Sequence, residues 1–143
     1  MPADSWKLAP GLNNVGSFQV SGKPFATGSF DCKRDARPLT DCEVVFPYVT
    51  RWFKVINKDQ SNACKISFSL NGMTSTGTVN NFTIPPADAD AGAVTSGILE
   101  LKVSSIFISG STDVDVVAGL TWIDRSRTDT DTGPNWSGSS GVG

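Results

Sequence analysis

The chain has 143 residues, with 12 Lys and Arg against 14 Asp and Glu and no histidine. A net charge of −2 without a dense basic run excludes nucleic acid as a natural partner, and no stretch of 18 apolar residues exists to span a membrane. Missing histidine removes the commonest general acid/base, every Ser/His/Asp or Cys/His arrangement and a frequent metal ligand.

Small polar residues dominate: 17 Ser, 13 Thr, 14 Gly and 12 Asp stand against two Glu. These types favour turns over helices, so the balance points to a single β-rich domain with many loops. At this length, burial of roughly 70% of the unfolded surface is within reach of one core.

In chain order, residues 1–14 read as an extended arm carrying Trp6. Phe18 and Val20 then alternate with Ser17, Gln19 and Ser21, as in a short strand. A turn at Ser21–Pro24 leads to a strand over Phe25–Phe30, followed by a polar loop from Asp31 to Cys42. Glu43–Phe46 is a short strand stopped by Pro47.

Val49–Ile56 carries the strongest strand signal, with Val49, Arg51, Phe53 and Val55 on one face and Thr50, Trp52, Lys54 and Ile56 on the other. Neither face is cleanly polar, which fits a strand buried on one side and packed against something on the other. Arg51 is the residue out of place, and a charge in that phase calls for a carboxylate partner, in the chain or across subunits.

Cys64, Ile66, Phe68 and Leu70 alternate with polar residues up to the turn dipeptide Asn71-Gly72. Val79–Ile84 is a strand ended by Pro85-Pro86, and Ala87–Gly97 reads as a loop. Ile98–Ile108 reads as one long strand whose phase shifts at Ser104-Ser105 through a bulge. Val114–Ile123 is the last strand, and residues 124–143, with Trp136 alone among Ser, Gly and Asp, read as a flexible tail.

The sum is eight strands. The expected fold is all-β: an eight-stranded antiparallel single jelly-roll β-sandwich over residues 15–123 with extended N- and C-terminal arms. An immunoglobulin-like sandwich fits less well, because Trp52 lies too close to Cys42 and Cys64 for that core pattern.

Candidate chemistry is sparse. Asp88/Asp90, Asp113/Asp115 and Asp129/Asp131 each offer two oxygens to a hard cation, but none sits in a full calcium loop, so solvated loops are the expectation and no metal or cofactor is assigned. Asn81-Phe82-Thr83 and Asn135-Trp136-Ser137 match the glycosylation pattern, taken as chance matches. Trp52 and Trp122 fall on strands, where core or sheet-edge packing is expected before a sugar platform. Cys32, Cys42 and Cys64 cannot all pair. Three free thiols in a reducing compartment is the first reading; a Cys32–Cys42 bridge or a link to a neighbouring chain are the alternatives.

The segments Phe46–Asn57, Ile66–Gly72, Leu99–Ser111 and Val116–Thr121, in this order and spacing, resemble the small single jelly-roll capsid proteins of large icosahedral double-stranded DNA viruses. These stand at the fivefold vertices as pentons. The resemblance covers roughly residues 43–123 and implies a structural, non-enzymatic virion subunit. Its partners would be four copies of itself in a homopentamer and the neighbouring major and minor capsid proteins, in a virion assembled in the host cytoplasm. Arg51, Trp6 and Trp136 are the candidate interface residues. A minor capsid or cement protein of the same fold, or a carbohydrate-binding β-sandwich module, are the alternatives.

Overall fold

Strict alternation over short runs, broken by Gly, Pro and Asp, yields strands and little else. The computed structural model describes residues 11–19, 22–33, 42–69, 72–73 and 81–128. Within them lie eight strands: β1 (Lys23–Phe30), β2 (Glu43–Val45), β3 (Tyr48–Asn57), β4 (Cys64–Ser67), β5 (Asn81–Ile84), β6 (Val94–Thr95), β7 (Ser105–Ser109) and β8 (Val114–Asp124). Single 3-10 turns at Val15–Phe18 and Arg125–Thr128 flank them. No described helix is long and apolar enough to cross a membrane.

The strands form two four-stranded antiparallel sheets, ordered β1-β8-β3-β6 and β2-β7-β4-β5, in a sandwich-like arrangement. The first strand pairs with the eighth, the second with the seventh, the third with the sixth and the fourth with the fifth.

Inward-facing residues of both sheets make one core. Phe46, Phe53, Val55, Ile66, Ile106, Ile108, Val114, Val116 and Leu120 are fully buried in it. Phe25 meets Phe46 edge-on at 5.0 Å, and Phe53 meets Phe68 edge-on at 6.2 Å, an edge-to-face geometry that aromatic quadrupoles favour.

Several expectations give way. The alternation around Phe18 is not a strand. Asn14 caps a 3-10 turn there, its Oδ1 accepting from the Ser17 amide at 3.3 Å, and two alternations are too few to compete with that local bond. Val94–Thr95, read as loop, is a two-residue strand on Ile56 and Asn57 of β3. The long strand over Ile98–Ile108 shrinks to β7. Gly97, at φ +74°, turns the chain, and residues 98–103 run beside β3 without forming a continuous strand: Leu99 exchanges backbone bonds with Phe53 at 2.8 and 3.0 Å, and the Val103 carbonyl accepts from the Thr50 amide at 2.9 Å. An expected strand thus became a turn and an unexpected one appeared, leaving the count at eight.

The tail also starts later than Asp124. β8 includes Asp124, and the following 3-10 turn buries Thr128, whose hydroxyl lies 3.2 Å from that of Ser104. Residues 1–10 and 129–143, most of the two expected arms, lie outside the described residues.

Candidate functional site

Register decides which side chains leave the core. Across β1, β8 and β3, Phe25 aligns with Ala118 and Phe53 on the inner face. The alternate rows face outward: Ala26–Val117–Lys54, Pro24–Gly119–Trp52, and Asp115 beside Ile56. The Leu99–Phe53 bridge sets Ile98, 65% exposed, beside Lys54 on the same side. The outer surface of this sheet is therefore mainly apolar, where an antiparallel sheet facing water alternates to polar residues.

Arg51 belongs to this outer surface through a bulge. Thr50 aligns with Leu120 and Trp52 with Gly119, so two steps of β3 match one of β8 and Arg51 is the extra residue. A bulge re-aims a side chain. It flips the phase that had set Arg51 with Phe53, and Thr50 turns into the interior instead, its hydroxyl bonded to the carbonyls of Leu101 at 2.6 Å and Val103 at 3.2 Å. Arg51 then donates from Nε to the Phe18 carbonyl at 2.5 Å and stands 3.8 Å from Glu100. The expected carboxylate partner is in the chain.

Beside this pair the surface is hollowed. A cavity of about 290 Å³ is lined by Phe18, Arg51, Glu100 and Lys102. A neighbouring one of about 240 Å³ shares Phe18 and Lys102 and continues to Leu12 and Val15. Lys102 is fixed between them, with Nζ 2.7 Å from the Leu12 carbonyl and 4.6 Å from the centre of the Phe18 ring. A cation held over an aromatic face fixes the 3-10 turn to the sheet flank.

The other polar clusters bind the fold to itself. Burial alone would raise the Asp59 carboxyl, but four donors outweigh it: Thr112 Oγ1 at 2.7 Å, Thr112 N at 2.9 Å, Asn62 Nδ2 at 2.9 Å and Ser61 N at 2.8 Å. They hold it well below the usual carboxylate range. Next to it, Asn57 donates to the carbonyls of Asn62 and Pro85, both at 3.0 Å, and accepts from Ser111 Oγ at 2.8 Å.

The Asp-x-Asp pairs divide by location. Asp113 and Asp115 close on Lys58 Nζ, each at 3.0 Å, and hydrogen bonding to Asp115 and then Asp113 raises the lysine's pKa. Asp88 accepts from the amides of Ala91 and Asp90, which lower its pKa. Asp129 and Asp131 lie outside the described residues. Among the described residues no three His, Cys, Asp or Glu side chains gather as a metal site would require. Asn81 lies in β5 with its amide donating to the Gly72 carbonyl at 2.8 Å; Asn135 lies outside the described residues.

The cysteines depart from the first reading. Cys32 and Cys42 form a disulfide, their Cα atoms 5.5 Å apart, because the segment just after β1 and the residue before β2 are both buried in the same core. Cys64 alone is free, and burial pushes its thiol up to about 12, which leaves it protonated and unreactive.

Trp122 is 60% exposed rather than buried in the core. It packs edge-on against Tyr48 at 5.4 Å, with Lys23 Nζ 4.7 Å from the Tyr48 ring and 4.9 Å from its own. Trp52, on the outer sheet face, makes no ring contact among the described residues. Of the three candidate interface residues, Arg51 is on the outer flank, while Trp6 and Trp136 lie outside the described residues. The apolar outer face, by contrast, was not singled out from the sequence; the doubly apolar pattern of Val49–Ile56 was its signal. No family model, no curated protein and no solved structure matches this chain.

Proposed function

We propose that the chain is a jelly-roll subunit of an icosahedral virion shell, standing as a homopentamer at the fivefold vertex and contacting the surrounding major and minor capsid proteins. The observation that carries this reading is the strand order. In a jelly roll a long antiparallel hairpin rolls up, so that the first strand lies against the eighth, the second against the seventh, the third against the sixth and the fourth against the fifth. The pairing of β1 with β8, β2 with β7, β3 with β6 and β4 with β5 supports this reading.

Fold alone does not assign function, and the surfaces add to the argument. The hydrogen-bonded and ionic clusters are consumed in holding loops together, and the one free thiol is buried. Among the described residues, a flank and a sheet face remain for outside contact. Assembly into a closed ring uses two different patches on each subunit, which a sandwich supplies without a pocket. The disulfide suits a particle that leaves the reducing cell interior after assembly in the cytoplasm. A cement protein of the same fold would differ in its position in the shell rather than in its chemistry. The carbohydrate-binding alternative is weaker here, since Lys23 already occupies the Tyr48 and Trp122 rings at which a sugar would stack.

The test is the symmetry of the assembled full chain. Native mass spectrometry and projection images should give a fivefold ring, and maps of isolated particles should place it at vertices. A chain that stays monomeric, closes with another symmetry, or lies away from the vertices overturns the reading.

A further inference from the structure

The two outer sheet faces of this sandwich differ in a way that identifies a partner. The outer side of β1-β8-β3 carries Pro24, Ala26, Val117, Trp52 and Ile56, continued by Ile98, with Lys54 in their midst and Asp115, paired to Lys58, beside Ile56. Lys54 has no ion-pair partner among the described residues. The outer side of β2-β7-β4-β5 carries mostly polar rows, Glu43–Phe107–Ser67–Asn81 and Ser109–Lys65–Thr83. At its β2 edge, however, Glu43 stands beside Phe107 and close to exposed Val45. Glu43 too has no ion-pair partner among the described residues, and among the rows named Lys65 is the cation, two strands away on β4.

We propose that the outer face of β1-β8-β3-β6 receives the β2 edge of a second copy of this chain, with Trp52 and Val117 against Val45 and Phe107 and with Lys54 paired to Glu43. The charges are complementary, Lys54 lies beside Val117 and Glu43 beside Phe107, and neither has an ion-pair partner among the described residues. Because the two patches are different, the contact is head-to-tail, the type that closes rings. It rests on the proposed function only in taking a second copy as the occupant.

Size sets the strength. Four strands about 4.8 Å apart and five residues of about 3.4 Å make a face of roughly 300 Å², well short of the ~800 Å² per partner of a standard interface. The hollows beside Arg51 and Lys102 enlarge the patch. A single contact is then weak, and association belongs in the micromolar range.

Sedimentation velocity of the full chain across a micromolar concentration series tests this. Lys54→Glu and Glu43→Lys should each weaken self-association about tenfold, and the two together should restore it to within about threefold of the parent. Thermal melts check folding, and Val117→Lys, which inserts a charge at the centre of the face, gives a second loss independent of the pair. Single variants without effect, a double variant no better than the worse single, or a parent that never associates overturns the inference. A non-fivefold assembly that obeys the charge exchange sinks the vertex reading alone; a fivefold ring indifferent to it sinks only this inference.

Discussion

The two sheets have similar inner faces and dissimilar outer ones. Inside, Phe53, Val55, Val116 and Leu120 of one sheet meet Val44, Ile66, Ile106 and Ile108 of the other, and all are buried. Outside, the β2-β7-β4-β5 sheet alternates to Ser, Asn, Thr and Lys, with Lys65 and Thr83 exposed but Ser67 and Ser105 buried, while β1-β8-β3-β6 presents Pro24, Ala26, Val117, Trp52 and Ile56. Core formation needs only the inner rows. Apolar residues on the outer rows are not needed for that core; Trp52, Ile56 and Val117 stay half-buried and Pro24 and Ala26 exposed on this face, the one proposed above to meet a second copy.

Adjacent residues of β3 give the sharpest contrast. Phe53 is completely buried between the sheets, and Trp52 lies on the outer face. Phe53→Ala should cost about 4 kcal/mol of unfolding free energy, through lost transfer energy and a cavity. Trp52→Ala should cost about 1 kcal/mol or less while lowering association. Chemical denaturation of both variants checks this, and equal losses would mean that the outer face is already covered within one chain.

Two further links join the sheets at their ends, and both test whether the faces are held at fixed separation. Cys32 follows β1, and its backbone is bonded to the β7–β8 turn through Ser111 and Gly110, each at 2.8 Å; Cys42 precedes β2. Reducing their bond frees a short loop and should cost about 3 kcal/mol in the chain-entropy account, read as a fall in denaturation midpoint with reductant.

Asp59, after β3, anchors Thr112 between β7 and β8, and Asp59→Asn should cost about 2 kcal/mol near neutral pH. Its carboxyl pKa is depressed in the folded state. The contribution is therefore complete above the unfolded value of about 4 and is lost as pH falls from there toward the lower folded value. Parent and variant stabilities should converge in acid, and a difference that grows with acidity would reject this account.

The inner rows were legible in the sequence because burial on one face forces period two: Cys64 and Ile66 in β4, and Val114 through Leu120 in β8, stand where alternation places them. Three things were not legible. β6 has two residues, too few to carry a period, and exists because β3 offers it an edge. Residues 98–103 alternate but meet β3 at Leu99 and again around Thr50 without a continuous ladder between, and the Leu101 side chain is exposed. The bulge at Arg51 is a property of the β3–β8 pair and is invisible in either strand by itself. For the candidate surface, the mixed faces of Val49–Ile56 were apparent, but joining them to Pro24, Ala26 and Val117 required the register. The pairing of Cys32 with Cys42 likewise depends on where the end of β1 and the start of β2 lie in the two sheets rather than on spacing.

The smallest expected effect lies at the end of the apolar face, in the pair of Arg51 and Glu100. Glu100 is 69% exposed and 3.8 Å from Arg51, so water screens the attraction, and Glu100→Gln should change stability by about 0.3 kcal/mol. Arg51→Met should cost more, about 1 kcal/mol, because it also removes the donor to the Phe18 carbonyl that ties the 3-10 turn to β3. A double-mutant cycle separates the two contributions, and high salt should erase the first and spare the second. A coupling above about 1 kcal/mol would mean that the pair is shielded from solvent. The outer face would then be covered at its Arg51 end in the free subunit, and its contrast with the polar face of the other sheet would have to be explained by that cover instead of by a second copy.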